Sequence, residues 1–315
     1  MNIAFVTEMP FFGKPDPNND NLRVPASWIV GLNADNIYIP TLEQIPSNSY
    51  DVAIIIIPKT LEKFIGVDIL KQSKRIAKKV GFMQEGPYWY YQDMPLDLSF
   101  LFFEILSNVD FVLAHNESDK MYYEGIVEKP TFVHPSLMIE GSIGNLDACE
   151  RNNVMVGGNF CRWYGGFDSH IIATEFDCDI YIPSMGRMTT QEKNIQDIKH
   201  LPYSTWREWI HALNRFKYGV HMMPTAAAGT FSLNCAYLGI PCIGNEEIDT
   251  QRICFPETSA HVMNIPLAKV IAKRLKNDKD FYDNVSKSAT ELYKKHYFID
   301  VYKSKLLDIL NTVIS

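Results

Sequence analysis

The sequence has few cysteines, no apolar run long enough to cross a membrane and no excess of basic residues. Its six cysteines are scattered, without a CxxC pair and without histidines at metal-ligand spacing, which argues against a disulfide framework and a zinc site. The longest purely aliphatic run, residues 52–57, is far shorter than a membrane span, and residues 1–13 lack the segments of a signal peptide. We therefore expect a soluble cytoplasmic protein with reduced thiols.

Charge is distributed unevenly along the chain. The 30 Lys and Arg against 37 Asp and Glu give a net charge of −7. Residues 1–150 hold 11 basic and 20 acidic residues, a net −9, whereas the remainder holds 19 and 17, a net +2. This balance excludes a general basic field for nucleic acid or an anionic membrane. An anionic ligand such as a diphosphate is expected in the second half.

Short, wholly apolar runs alternate with helix-length segments along the chain. Strands buried on both faces and separated by helices are typical of a parallel sheet in an α/β fold. With 315 residues, the chain is long enough for two such domains. The predicted strands are residues 3–6, 37–39, 52–57, 80–83, 111–114, 132–133, 154–156, 179–182, 198–201, 219–222 and 241–243.

Pro, Gly and Asn interrupt this rhythm around residues 135–152, which predicts the domain boundary. We expect one doubly wound, Rossmann-like domain over residues 1–140, a linker over 141–152 and a second such domain over 153–290. A C-terminal helix over 291–315 follows, and whether it crosses back to the first domain is left open. Two such domains in tandem place the carboxyl ends of both sheets around one cleft, where ligands of parallel sheets bind.

The segment after the predicted strand at 219–222 is rich in small residues and leads into a helix. Such a loop offers free N–H groups and a positive dipole end, which suit a phosphate. A tightly packed loop without a ligand is the alternative. Upstream, Thr205 and Glu208 form a capping box that opens an amphipathic helix.

This region resembles the donor site of two-domain GT-B glycosyltransferases, particularly the retaining enzymes that use UDP- or GDP-sugars. Gly229 matches the family's loop glycine, and residues 234–241 align with its Glu-Ala-x-Ala-x-Gly-x-Pro pattern, with Gly239 and Pro241 at its Gly and Pro. Residues 154–167 resemble the first strand and loop of the donor domain, and residues 109–116 the last strand of the acceptor domain. The resemblance implies the GT-B fold, with the acceptor bound by residues 1–140 and the nucleotide sugar by residues 153–290.

The resemblance also implies the donor and its ligands. We expect a UDP-sugar more than a GDP-sugar, no tightly bound cofactor and no essential metal. The predicted donor-binding residues are Gly158, Asn159, Arg162, Arg187, Thr225, Gly229, Thr230, Phe231, Ser232 and Asn234.

Three positions depart from the family pattern. Its ribose-binding Glu is replaced by Asn234, its second acidic residue falls on Ala226, and the lysine after the first glycine loop is missing, which leaves Arg162 as the nearest cation. Asn binds a ribose hydroxyl more weakly than a carboxylate does. Glu246 and Glu247 are alternative sources of the carboxylate, and a non-catalytic relative is another interpretation.

Three residues at strand ends of the first domain are candidates for catalysis. Glu85 lies between an apolar strand and four aromatic residues, where partial desolvation would raise its pKa and suit a general base. Glu8 is the second choice and His115 a third polar group at a strand end. In a retaining enzyme, as the resemblance suggests, no dedicated base is required. A structural role is the alternative for each.

Candidate acceptor-binding residues are Phe12, Lys14, Tyr88 and Trp89. Lys71, Lys74, Arg75, Lys78 and Lys79 would form a basic stripe on one helix, suited to a phosphate backbone or simply a solvated face.

Two features of the opening residues bear on the acceptor. Together with the Asn, Ile, Lys and Phe usage, residues 11–14 and 21–23 resemble phage glycosyltransferases. The favoured acceptor is therefore 5-hydroxymethylcytosine in double-stranded phage DNA, modified in a bacterial host. A surface glycan, a sugar-nucleotide epimerase and a binding module are the alternatives. A dinucleotide oxidoreductase is disfavoured because no GxGxxG follows the first strand.

Overall fold

The computed structural model divides the chain into two compact units. It describes residues 1–23, 25–57, 61–84, 86, 88–134, 137–184, 195, 197–225 and 227–315. Unit 1 comprises Met1–Ile139 and Ile299–Ser315, and unit 2 comprises Glu140–Phe298. Two of the proposed site residues, Glu85 and Arg187, and the departure at Ala226 lie outside the described residues.

Unit 1 is built on a six-stranded parallel sheet in the order β2-β1-β3-β4-β5-β6. Strand β3 lies inside the sheet and is apolar over most of its length. Apolar residues suit both of its faces, because helices cover both faces of a parallel sheet. The strand order reverses between β1 and β3, which makes their carboxyl ends a switch point. The strands are β1 (Ile3–Thr7), β2 (Asp35–Tyr38), β3 (Tyr50–Ile57), β4 (Ala77–Gln84), β5 (Phe111–Ala114) and β6 (Thr131–Val133).

Helices follow the strands of unit 1. The side chain of Asp68 caps α2, accepting from the main-chain N–H of Lys71 at 3.0 Å, and that of Asn116 caps α4 in the same way. The helices are α1 (Ala26–Gly31), α2 (Ile69–Ile76), α3 (Leu96–Asn108) and α4 (Glu117–Ile126).

Unit 2 also has a six-stranded parallel sheet, in the order β12-β11-β10-β7-β8-β9. This is the order of a dinucleotide-binding sheet, with the reversal between β7 and β10. The strands are β7 (Asn152–Val156), β8 (Ile180–Pro183), β9 (Ile198–Leu201), β10 (Phe216–His221), β11 (Cys242–Asn245) and β12 (Ser259–Ala260).

The helices of unit 2 include α6, which has the predicted capping box between Thr205 and Glu208. The last helix of the chain returns to unit 1, where it packs on β3 and β4. The helices of unit 2 are α5 (Gly166–Ala173), α6 (Trp206–Leu213), α7 (Thr230–Leu238), α8 (Asp249–Cys254), α9 (Ile265–Asn277) and α10 (Lys279–His296), and the last helix, in unit 1, is α11 (Ile299–Ile314). Short 3-10 helices span Ile39–Gln44, Leu61–Phe64, Tyr90–Asp93, Glu140–Ser142, Arg162–Tyr164, Thr174–Phe176 and Pro256–Thr258.

The predicted basic stripe does not form, and this prediction was wrong. Helix α2 ends at Ile76, because from Ala77 onward the backbone is extended and pairs with β3. Lys78 and Lys79 therefore lie on β4. The guanidinium group of Arg75 is turned toward main-chain carbonyls, 2.7 Å from Ile45 O and 2.9 Å from Leu42 O. Lys71, Lys74 and Arg75 thus lie on α2, and Lys78 and Lys79 on β4. Arg75 is also held by main-chain carbonyls.

Candidate functional site

The carboxyl ends of β7 and β10 lie side by side at the switch point of unit 2. Val156 pairs with Val220 in register, and the next residue, Gly157, donates its N–H to Val220 O at 2.8 Å. Two loops leave the sheet here, residues 157–165 after β7 and residues 222–229 after β10. A ligand of an open parallel sheet binds at this position.

Glycines fix the path of the loop after β7. Gly165 has φ +61°, and a Cβ there would lie 1.9 Å from the main-chain oxygen of Met222. Gly158 has φ +74°, and a Cβ there would lie 2.6 Å from the ring of Tyr164. A side chain at 165 would push the two loops apart, and one at 158 would displace Tyr164 within the first loop, so the path of this loop depends on glycine.

The loop after β10 ends at Gly229, which is the N-cap of α7. Its φ is +65°, and a Cβ there would lie 2.0 Å from Thr250 Oγ1. Among the residues that the structure describes, no side chain caps the helix at this position. The first turn of α7, with Thr230 and Phe231, thus presents its main-chain N–H groups and the positive end of the helix dipole at the switch point.

A hydrogen bond joins the two loops. Thr225 Oγ1 donates to the main-chain oxygen of Trp163 at 3.1 Å, and Thr225 is buried. Below it, the main-chain N–H of Met222 donates to Ser169 Oγ at 2.8 Å. Gly158, Thr225 and Gly229, three of the predicted donor-binding residues, thus lie in the loops that leave the adjacent strands β7 and β10, and their binding to the donor stays a prediction.

Two predicted donor ligands on α7 have protein partners. Ser232 Oγ lies 3.0 Å from Gly229 O and 2.7 Å from Thr250 Oγ1. In the amide orientation that satisfies both ends, Asn234 donates to Thr230 O at 3.2 Å and accepts from Trp209 Nε1 at 3.0 Å. Both side chains are buried, so their contacts hold α7 in place, and their binding to the donor stays a prediction.

Charged groups near these loops are exposed. Arg162 is exposed in the 3-10 helix Arg162–Tyr164, which follows the glycines of the first loop. Glu246 and Glu247, the alternative carboxylates, are exposed after β11, and Glu247 Oε1 lies 3.9 Å from His261 Nε2. Arg162 is predicted from the sequence as a donor ligand, and the structure has it exposed on the loop after β7, at the switch point.

Two buried polar groups lie in the same loops. His221 ends β10, is 6% exposed, and its Nε2 has no hydrogen-bond partner among the described residues. Asn159, which the sequence predicts as a donor ligand, is equally buried, and its Oδ1 lacks a partner within the same part of the chain. Sequence reasoning missed His221, because its enclosure depends on residues distant along the chain.

In unit 1, His115 follows β5 and is buried against Trp28, with ring centroids 5.5 Å apart. Its Nε2 lies 2.7 Å from the main-chain oxygen of Gln84, which can only accept. The neutral ring therefore carries its proton on Nε2, and Nδ1 is an acceptor without a partner in the described chain. Burial lowers the pKa of His115 to about 4, so the ring is neutral at pH 7.

Asp119 is a second buried group that sequence reasoning missed. Its Oδ2 accepts from the main-chain N–H of His115 at 3.1 Å, yet burial raises its pKa to about 7. It lies in the first turn of α4, where Asn116 caps its main-chain N–H at 2.9 Å. A cap residue directly after a strand is the sequence signal that could have marked it.

The loop after β1 is tied to the neighbouring strand. Asn36 Nδ2 donates to the main-chain oxygens of Met9 at 3.1 Å and Phe11 at 2.5 Å. Glu8 is half-buried in this loop, while Phe12 and Lys14 are exposed. Catalysis by Glu8 and acceptor binding by Phe12 and Lys14 stay predictions.

The aromatic segment after β4 is packed on helices. Tyr88 lies against Tyr122 of α4, with ring centroids 4.2 Å apart, and Tyr91 stacks on Phe102 of α3 at 4.1 Å. Tyr88 and Trp89 remain partly exposed, so a part of each ring is left for an acceptor.

Two kinds of feature, a metal-binding cluster and a membrane-spanning helix, are absent from the described residues. Within them, no group of three or more His, Cys, Asp and Glu side chains could hold a metal ion. No helix among them is both long and apolar enough to cross a membrane.

Comparison with known proteins identifies the fold. No protein-family model and no curated protein sequence matches the chain. Sucrose-phosphate synthase from Thermosynechococcus elongatus aligns with a TM-score of 0.67 and 10% identity, over 99% of this chain and 98% of that one. A variant of S. aureus TarM in complex with Fondaparinux, alpha-GlcNAc-glycerol and UDP aligns with a TM-score of 0.63 and 12% identity, over 87% of this chain.

A UDP-forming trehalose-phosphate synthase from Burkholderia xenovorans aligns with a TM-score of 0.62 and 7% identity, over 92% of this chain and 79% of that one. The chain spans 58% of the length of the TarM chain. At these identities the likeness concerns the fold. The protein has the GT-B fold, with two parallel six-stranded sheets and a long C-terminal helix.

Proposed function

We propose that the protein is a glycosyltransferase that moves a sugar from a UDP-sugar to a hydroxyl group. One observation carries this proposal: the N-terminus of α7, with Gly229 as its N-cap, opens at the switch point of unit 2. This arrangement suits a diphosphate, because the first turn of a helix directs its N–H groups and the positive end of its dipole toward an anion. The fold shared with sucrose-phosphate and trehalose-phosphate synthases supports the reaction class.

UDP is the preferred nucleotide over GDP. The TarM structure named above contains UDP, and the trehalose-phosphate synthase is named as UDP-forming. In unit 2, the glycine loop with Gly158 and Asn159 would lie against the donor, with Arg162 and Arg187 as its cations. No further cofactor enters the proposal.

The reaction breaks the bond between the anomeric carbon and the diphosphate oxygen, and forms a bond from that carbon to the acceptor oxygen. Negative charge grows on the departing diphosphate, which fixed N–H dipoles stabilise without reorganisation. With retention of configuration, a mechanism named for a structural neighbour, the acceptor proton passes to the departing diphosphate. With inversion, Glu85 or Glu8 would take that proton.

The acceptor favoured by the sequence, hydroxymethylcytosine in DNA, remains part of the proposal. Its support is the resemblance of residues 11–14 and 21–23 to phage glycosyltransferases. The basic residues at 71–79 no longer argue for it, since they do not share one surface stripe. A surface glycan is the competing acceptor, favoured by the net charge of −7.

A transfer assay tests the proposal. The purified protein is incubated with UDP- and GDP-sugars and with hydroxymethylcytosine DNA, unmodified DNA or glycan acceptors, and the products are measured by mass spectrometry. We expect transfer from a UDP-sugar, and a hexose or pentose mass on the hydroxymethylated base alone would establish the DNA acceptor. Intact nucleotide sugars with every acceptor would contradict the proposed activity.

A matched pair of variants links any transfer to the site. Gly229→Ala should abolish it, because the added Cβ collides with Thr250. Gly141→Ala, where a Cβ meets no atom within 4 Å, should leave it intact.

A further inference from the structure

The imidazole of His221 is enclosed by the loop after β7 and by the first turn of α7. Tyr164, from the loop after β7, stacks on it with ring centroids 6.1 Å apart and planes 23° apart. Phe231, from the first turn of α7, meets it edge-on at 5.3 Å. A Cβ on Gly157 would lie 2.7 Å from its Cγ, so glycine at 157 makes room for the ring.

A histidine in this position needs an explanation. The strand leading to it is apolar where it is buried, and a fully apolar side chain would fill the space without leaving a polar atom unpaired. Nε2 of His221 has no partner among the described residues, which costs about 1–3 kcal/mol for a buried polar atom. An atom of this kind in a native fold calls for an explanation, such as a catalytic role or a bound water or ion that completes it.

The surrounding chemistry indicates which ligand. At pH 7 the ring is neutral, because burial lowers the pKa of His221 to about 4, and a neutral imidazole carries one N–H donor. Among the described residues, the titratable side chain that packs on the imidazole of His221 is that of Tyr164. The ring adjoins the first turn of α7, whose N–H groups also favour an anion. A second unpaired atom, Asn159 Oδ1, is an acceptor in the same loops and requires a donor such as a hydroxyl group.

We propose that His221 is a donor-binding residue of unit 2, whose Nε2–H is donated to a diphosphate oxygen of the nucleotide sugar. This inference rests on the proposed function and adds a residue outside the set that the sequence predicted. His221 thereby fixes the diphosphate against the N-terminus of α7. Asn159 would complement it by accepting from a hydroxyl group of the same ligand.

Side-chain NMR of the full-length protein tests this contact directly. The chain has eight histidines, so long-range proton–nitrogen spectra contain few signals, and that of His221 is assigned by its loss in His221→Met. UDP should shift the Nε2 signal of His221, whereas uridine, which lacks the diphosphate, should not. UDP binding that leaves this signal unchanged would overturn the inference and leave the proposed function standing.

Affinity measurements on variants supply the second readout. His221→Met removes the donor at similar volume and should weaken UDP binding about tenfold, a loss typical of one hydrogen bond to a charged group. His221→Gln keeps an N–H donor and should recover part of that loss. His296→Gln, an exposed histidine at the end of α10, is the matched control and should bind UDP as the wild type does.

The outcomes separate the two proposals. Equal UDP affinity in the wild type and both His221 variants would overturn the inference alone. Failure of the wild type to bind UDP or GDP would overturn the proposed donor site, and His221 with it. Should His221→Met fail to fold, the wild-type signal is assigned by its loss in His221→Gln instead, and its response to UDP and uridine still decides the question.

Discussion

At the strand ends of unit 2, glycines at 158, 165 and 229 hold the backbone in left-handed conformations, whereas the strand ends of unit 1 carry buried ionisable side chains. The loops after β7 and β10 are shaped so that main-chain atoms reach a ligand. In unit 1, the main-chain N–H of His115 donates to the carboxyl group of Asp119. Burial lowers the pKa of the histidine and raises the pKa of the carboxyl group. Unit 2 thus offers backbone dipoles beside one buried neutral imidazole, that of His221, whereas unit 1 buries a carboxyl group, that of Asp119, next to its histidine.

The largest effect should come from the backbone of unit 2. Gly229→Ala forces a left-handed φ of +65° on alanine and a Cβ within 2.0 Å of Thr250 Oγ1. Thr250 cannot move freely, because it is hydrogen-bonded to Gly229 O and Ser232. Strain and overpacking together should cost about 3 kcal/mol and abolish UDP binding. Urea unfolding and calorimetric titration with UDP measure both, with Gly141→Ala as the control.

The next effect concerns the ionisable pair of unit 1. The folded pKa of His115 lies below its unfolded value of 6.5, so this group removes stability as pH falls through that value, by about 2 kcal/mol between pH 8 and pH 5. The folded pKa of Asp119 lies above 3.8, so it removes stability as pH rises, by about 2.5 kcal/mol between pH 5 and pH 8. The two slopes oppose each other.

Single variants should separate the two contributions to the pH dependence of stability. We expect Asp119→Asn to lose stability on acidification more steeply than the wild type, and His115→Gln to lose it less steeply. Chemical unfolding at pH 5, 6, 7 and 8 measures the slopes. Parallel pH profiles for both variants and the wild type would show that neither group is buried as described.

A smaller effect tests whether side chains of α7 serve the donor. Asn234→Ala breaks the contacts with Trp209 Nε1 and Thr230 O and should cost about 2 kcal/mol of stability. We expect its UDP affinity to change less than threefold, because the described contacts of Asn234 are within the protein. A loss of affinity beyond tenfold in a folded variant would instead assign Asn234 to the ribose. Lys287→Ala, on the exposed side of α10, is the control.

The smallest effect should come from the bond between the two loops. Thr225→Val keeps the shape of the side chain and removes the donor to Trp163 O, at a cost of about 1 kcal/mol. UDP should bind a few times more weakly, since the loops are then less firmly held together. Thr225→Ser restores the hydroxyl group and should restore affinity. Unchanged binding in the valine variant would mean that the loops are positioned by their glycines alone.

The sequence was most informative where apolar runs are long or repeated. All eleven predicted strands coincide with strands of the structure, and the GT-B prediction is confirmed at the level of the fold. Strand β12 was missed, because Ser259–Ala260 is too short and polar to form a run. The end of α2 was also missed, since the lysines that follow Ile76 suit a helix, and only pairing with β3 makes them a strand.

Local patterns located Gly158, Thr225 and Gly229 on the loops that follow strands of unit 2, and their binding to the donor stays a prediction. They did not predict the role of Arg75, whose carbonyl partners lie about thirty residues earlier in the chain. His221 and Asp119 were hidden for the same reason. Burial and unpaired atoms result from packing between distant segments, and no periodicity in one segment records them.

The return of α11 to unit 1 has a consequence for biosynthesis. Unit 2 is one continuous stretch, Glu140–Phe298, whereas unit 1 needs residues from both before and after it. A ribosome therefore delivers everything that unit 2 requires before it delivers Leu306 and Leu310, which are fully buried in unit 1. Domains usually complete their folding in the order of synthesis. Here the order is reversed: the half that is translated first must wait, with part of its core uncovered, until the half translated later has emerged.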